Sequence, residues 1–142
     1  MTRAEMLRDS VKIRLANDNM GAKIAEVLSA NGVDIDCTSW DSVYPYWLIA
    51  THNDDVIGCC QVLPAQPVGY AEFLCVSPSA GFKLRAIALR KLIAQAMLTL
   101  RLAKCQYAGA NIEAGNFKFA NMLEKIDFVK SYQSDLFVKR LL

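Results

Sequence analysis

Histidine is almost missing from this chain. His52 is the single one, and the five cysteines (Cys37, Cys59, Cys60, Cys75 and Cys105) are an odd number without metal-ligand spacing. A structural zinc needs Cys and His ligands at recurring short intervals, so no metal is expected. A surplus of one charge sign is missing too, since 16 Lys and Arg against 14 Asp and Glu leave a formal net charge of +2. That is too little to favour a nucleic acid or an anionic membrane as partner. Long apolar runs are absent. The longest uncharged stretch of the second half, Leu92 to Leu100, falls well short of the ~20 residues that a membrane helix needs. The first turns carry Arg3, Glu5, Arg8 and Asp9, with no apolar segment of signal-peptide type. No repeat, linker or low-complexity tract is visible.

What the chain does have is core-forming material. Of its 142 residues, 54% are hydrophobic. A domain of this size hides roughly 68–70% of its unfolded surface, so it folds without disulfides or metal. The expectation is one domain over 1–142, cytoplasmic, with free thiols in a reducing compartment. Cys59 and Cys60 are adjacent and are expected on opposite faces of a strand.

The pattern along the chain alternates strand and helix signals. Val11 to Leu15 (V-K-I-R-L) alternates as a first strand. Asn17, Asp18 and Asn19 offer helix N-caps, and Met20, Ile24, Val27 and Leu28 share a helical face that ends at Gly32. An irregular stretch, Asp34 to Pro45, contains Trp40 and Tyr44. Tyr46 to Thr51 and Val56 to Leu63 read as a hairpin turning at Asn53, Asp54 and Asp55. Val68 to Val76 is a fourth strand, stopped by Ser77 and Pro78. Lys83 to Ala103 is a long helix with its stripe at Leu89, Leu92, Ile93, Ala96, Met97 and Leu100. The basic residues Lys83, Arg85, Arg90 and Lys91 are expected on its solvated face. A fifth strand at Cys105 to Asn111, a helix at Asn116 to Lys125, and strands at Phe128 to Tyr132 and Asp135 to Arg140 complete the order. A helix between the fourth and fifth strands implies a parallel crossover, with the rest of the sheet antiparallel. The last strand, if left at an edge, would pair a homodimer.

Two segments carry a family resemblance. Tyr70 to Ile93 reads Y-A-E-F-L-C-V-S-P-S-A-G-F-K-L-R-A-I-A-L-R-K-L-I, and Asn116 to Phe128 reads N-F-K-F-A-N-M-L-E-K-I-D-F. In order and spacing they resemble the fourth strand, pyrophosphate loop and last-helix signature of the GNAT N-acetyltransferase superfamily. The resemblance implies an α/β (α+β) fold with a mixed, mostly antiparallel sheet of about seven strands and helices on both faces. It implies acetyl-CoA as cosubstrate and a small-molecule or protein amine as acceptor. Glu72 would then be the general base, working through water. Cys75, Val76, Gly81, Phe82, Lys83, Leu84, Arg85, Ala86 and Asn116 would hold the cofactor.

The motif is worn. The family loop reads R/Q-x-x-G-x-G/A, so its N–H groups can approach the phosphates at a helix N-terminus. Here Gly81 stands in place of the Arg or Gln, Leu84 in place of the first Gly, and only Ala86 agrees. Leu84 either blocks the phosphates or points away while the N–H groups still serve. Leu123 occupies the position of the family's general-acid Tyr, and Asp127 that of its helix-ending Gly. On its strand, Glu72 is expected to share a face with Tyr70, Leu74 and Val76. The readings in competition are an acyl-CoA-dependent N-acyltransferase and a non-catalytic GNAT-like binding or structural module. The second resembles some phage-encoded proteins.

Overall fold

The computed structural model describes residues 1–33, 46–110 and 117–129. The chain falls into two compact units, Met1–Ala110 and Asn111–Leu142. The first contains α1 (Arg3–Ser10), β1 (Val11–Leu15), α2 (Gly21–Ala30), β2 (Trp47–His52), β3 (Asp55–Leu63), β4 (Val68–Val76), α3 (Phe82–Leu102) and β5 (Tyr107–Ala110). The second contains α4 (Phe117–Lys125).

The five strands form one sheet in the order β1-β2-β3-β4-β5. The first three pairs are antiparallel and β4 runs parallel to β5. The crossover through α3 is the one expected. Seven strands are not seen: Phe128 and Val129 lie outside any strand, and 130–142 lie outside the described residues. The strand proposed for dimer pairing, Asp135 to Arg140, is therefore among the undescribed residues, as are Cys37, Trp40, Tyr44 and Asn116.

Local chemistry explains most boundaries. Two central residues, Asn53 (φ 50°) and Asp54 (φ 66°), turn the β2–β3 hairpin in left-handed backbone. That is the conformation two-residue hairpins demand, and short Asn and Asp side chains tolerate it. Gly32 (φ 78°) ends α2 with N–H bonds from Gly32 to the Ser29 carbonyl and from Val33 to the Leu28 carbonyl. The asparagines before α2 do not cap it. Asn17 Oδ1 accepts from the Asn19 N–H at 2.9 Å, closing a side-chain turn, and the helix begins at Gly21 after Met20.

Helix α1 had no periodic signal, because none of its residues is buried. Its signal is a capping box: the Glu5 N–H donates to Thr2 Oγ1 at 3.1 Å, and the Thr2 N–H donates to Glu5 Oε2 at 2.7 Å. Lys91 corrects the reading of a solvated basic face. Its Nζ donates to the carbonyls of Arg8 (2.6 Å) and Val11 (2.8 Å), closing the C-terminal end of α1.

The core has two layers. On one face of the sheet, Leu48, Ala50, Cys60, Val62 and Ala71 pack with Ala88, Leu92, Ala96 and Leu100 of α3. On the other, Trp47, Ile49 and Cys59 pack with Ile24, Val27 and Leu28 of α2. Helices thus cover both faces. At Gly69 a Cβ would lie 2.5 Å from Leu100 Cδ2 and 2.9 Å from Cys105 Sγ, so a larger residue would force these side chains to shift.

The adjacent cysteines go to opposite layers as alternation requires, and both thiols are free. Burial, and then the nearby Glu72 and Cys75, push the Cys60 thiol up to about 12, against an ordinary value of 9.0. Burial also raises Cys59 and Cys75. A thiol whose proton is held more tightly in the folded chain stabilises it fully below the ordinary value. That contribution fades as pH climbs from 9.0 towards about 12. Alkaline unfolding followed by circular dichroism should therefore begin in this window, and Cys60→Ala should flatten it. Iodoacetamide at about pH 8 should leave Cys59 and Cys60 unmodified in the native chain, because the reactive species is the thiolate. Rapid labelling of both in a peptide map would contradict this.

Candidate active site

Among the described residues, strand β4 is bonded to β5 from Val68 to Ala71, opposite Tyr107 to Ala110. It runs on to Val76. Glu72 to Val76 therefore extend past the described end of their parallel partner. Glu72 is the first residue of this segment.

A β-bulge sits at the same place. Cys59 pairs with Cys75 and Gln61 with Glu72, so β4 carries one extra residue between them. Phe73 absorbs it with φ 53°. Left-handed backbone on an aromatic residue costs on the order of 1–3 kcal/mol and concentrates at functional sites. The bulge corrects the expected facing of β4. Ala71 packs in the α3 layer, so Tyr70 and Glu72 face the α2 side. Phe73 joins them through its stack on Trp47 of the α2 layer, at 5.9 Å between centroids and 26° between planes. Leu74 and Val76 then pack against the α3 layer, and Cys75 against the α2 layer. Glu72 shares its face with Tyr70 and Phe73 and not with Leu74 or Val76.

Glu72 is half-buried. Its carboxylate lies near enough to Cys60 to help raise that thiol, while a hydrogen bond from the Glu72 backbone pulls the other way. Around it the α2 side is aromatic. Trp47 is buried, while Phe73 is 42% and Tyr70 is 40% exposed. Tyr70 lies over Gly109 of β5, where a Cβ would come within 2.8 Å of its Cε1. By register, Tyr107 is on this face as well.

Beyond β4 the chain turns tightly into α3. The Ser77 N–H donates to the Ile57 carbonyl at 2.7 Å, and the Ala80 N–H to the Ser77 carbonyl at 3.1 Å. Gly81 is the N-cap, in extended backbone and with no side chain to accept the leading N–H groups. A Cβ on it would meet nothing within 4 Å. No side chain caps the first helical N–H groups, and a helix N-terminus in that state favours an anion.

The side chains of this turn divide. Phe82 and Lys83 are exposed, and Arg85 and Ala86 are half-buried. The Arg85 Nε has no hydrogen-bond partner among the described residues although it is buried. Leu84 packs against the α3 layer, which decides between the two alternatives for it: the side chain points inward, away from the helix mouth. Asn31 ties α2 to the end of β4 by donating from Nδ2 to the carbonyls of Val27 (2.8 Å) and Val76 (3.0 Å). Sequence reasoning missed this residue. As the residue before a capping glycine it carried no motif.

In the second unit, Leu123 is buried. Asp127 takes the helix-ending conformation of the glycine it replaces, with φ 71° and a bond from the Phe128 N–H to the Leu123 carbonyl. Away from these features, an open groove of about 410 Å³ lies between β1 and α3. Its titratable side chains are Lys12 and Lys91, and Lys91 is engaged with α1. It holds no base or nucleophile, so the β4 edge is the better candidate. No three or more His, Cys, Asp or Glu among the described residues could hold a metal. No described helix is long and apolar enough to cross a membrane.

No protein-family model and no curated protein matches the sequence. Solved structures do match. An aminoglycoside N-acetyltransferase AAC(6')-Iy, in complex with CoA, is 15% identical, with 92% of this chain and 95% of that chain covered at a TM-score of 0.75. A transcriptional regulator from Bacillus halodurans C-125 is 10% identical, with 91% and 99% covered at 0.75. An acetyltransferase of Trypanosoma brucei is 15% identical, with 92% and 99% covered at 0.68. The chain thus has the fold of the GNAT acetyltransferases, at low sequence identity to them.

Proposed function

We propose that this protein is an acyl-CoA-dependent N-acyltransferase that moves an acetyl group from acetyl-CoA to a small-molecule or protein amine. The observation that carries the reading is the break at Glu72. There the described β4–β5 ladder ends, and β4 runs on to a turn that leads into an uncapped helix N-terminus. CoA is present in several of the similar structures, among them the AAC(6')-Iy enzyme and an N-acetylglutamate synthase of Neisseria gonorrhoeae.

The residues fit such a cosubstrate. The open space before Gly81, the inward Leu84 and the orphaned Arg85 Nε favour a phosphate-bearing ligand. On this reading the N–H groups from Gly81 to Ala86 bind the pyrophosphate, with Phe82 in the first turn and Lys83 and Arg85 adding charge. Cys75 and Val76 lie on β4 beside the pantetheine arm. When bound, acetyl-CoA supplies an activated thioester. Glu72 takes the proton of the incoming ammonium through water, leaving a neutral amine. Leu123 offers no proton to the departing thiolate, so turnover rests on positioning and on Glu72. The whole chain, 1–142, acts as one domain on this reading, in a reducing cytoplasm.

Isothermal titration with acetyl-CoA tests the proposal, together with thiol release in the presence of amines. No binding at millimolar acetyl-CoA would sink it. Gly81→Asp separates fold from function. Aspartate is a good N-cap in this open extended position and should raise stability by a few tenths of a kcal/mol. Its charge beside the phosphates should weaken CoA binding by about tenfold or more. An unchanged affinity would remove the pyrophosphate assignment.

A second reading, a non-catalytic GNAT-like module, is favoured by one observation. Leu123, at the position of the family's acid, is buried and apolar. Steady acetyl transfer to any amine would exclude it, whereas a chain that binds neither CoA nor amine would support it.

A further inference from the structure

The aromatic wall around Glu72 has no role in proton transfer, and it asks for an explanation. Phe73 is held in left-handed backbone, stacks on the buried Trp47, and still leaves 42% of its surface open. Tyr70 is 40% open and lies over β5 at a position where glycine makes room for its ring. Both are on the face that carries Glu72. Tyr70 is two positions before Glu72, about 7 Å along the strand, and Phe73 follows Glu72 directly, so both rings share its short stretch of this face. Strain is maintained here to present an exposed ring. Burial does not explain it, because the ring is not buried.

We infer that the acceptor is a primary amine carried by a flat aromatic body on a short aliphatic tether, with the ring held between Tyr70 and Phe73 and the ammonium at Glu72. The inference rests on the acyl-transfer reading above and names its substrate class. The charge match is a single carboxylate for a single ammonium. Aromatic faces add attraction for the cation and area for the ring. Trp47 fixes Phe73 from below, which keeps the wall preorganised.

Binding and turnover are measured separately on the full chain. Titration calorimetry without cosubstrate uses 2-phenylethylammonium, the neutral 2-phenylethanol, spermidine and kanamycin. The expected result is 2-phenylethylammonium tighter than spermidine and kanamycin by about tenfold or more. Tyr70→Leu should weaken 2-phenylethylammonium by about three- to tenfold. Glu72→Gln should weaken it while leaving 2-phenylethanol unchanged. Phe73→Leu should act like Tyr70→Leu; because it also removes the Trp47 stack, the exposed Tyr70 carries the test if that variant does not fold.

Preference for spermidine or kanamycin would overturn the inference. So would indifference of binding to Tyr70→Leu, or no detectable binding of the aryl amine at about 10 mM, where even millimolar affinities register. Tight aryl-amine binding without acetyl transfer keeps the aryl-ammonium site but removes the acyltransferase reading, and with it the role of acceptor. Acetyl transfer to amines regardless of a ring, unaffected by Tyr70→Leu, does the reverse.

Discussion

Glu72→Gln is expected to lower kcat for acetyl transfer by about 10²- to 10⁴-fold, the range for losing a positioned general base. Acetyl-CoA affinity should stay within about twofold, since the proposed contacts of the cosubstrate lie further along β4 and at α3. Glutamine matches glutamate in shape, and its strand partner is Gln61, so the pairing is kept. The variant should unfold at the wild-type temperature. The pH profile provides a second readout: the acidic limb of kcat set by Glu72 should vanish. If kcat fell less than about threefold, well under one proton-transfer step, Glu72 would not be the base.

Leu84→Gly is expected to destabilise the chain by about 2–4 kcal/mol, from loss of a packed side chain and from about 1 kcal/mol of helix propensity. The change restores the glycine of the family loop. It should nevertheless leave acetyl-CoA affinity no tighter, because the Leu84 side chain already points into the α3 layer. Against a total stability of roughly 5–15 kcal/mol the loss is large and easily read from urea unfolding. A stable variant that binds acetyl-CoA several-fold better would show that Leu84 obstructs the phosphates.

These two variants mark the boundary between what was legible and what was not. β1 and β4 match their expected bounds, because strict alternation and a Pro stop are local signals. The α3 stripe was legible for the same reason. Leu92, Ile93, Ala96 and Leu100 are buried, as their spacing demands. Helix α1 was not, since an exposed helix has no stripe and only its capping box announces it. The cap of α2 was misread because Asn17 closes its own turn first.

Glu72 and the α3 N-terminus could be named from residue types at family spacing. Their surroundings could not. A strand's faces are assigned by counting in twos, and one bulge at Phe73 shifts the count for everything after it. The aromatic wall therefore stayed hidden: Phe73 counts to the wrong face, and Trp47 is 26 positions earlier in the chain.

β1, β4, the α3 stripe, the parallel crossover and the small net charge were legible in the chain alone. All of these follow from short-range periodicity and composition. Tertiary structure alone reveals the bulge at Phe73, the inward turn of Leu84, and the face that Glu72 shares with Tyr70 and Phe73. Those features depend on pairing between distant strands and on a single residue in left-handed backbone. No local pattern in a chain encodes either one.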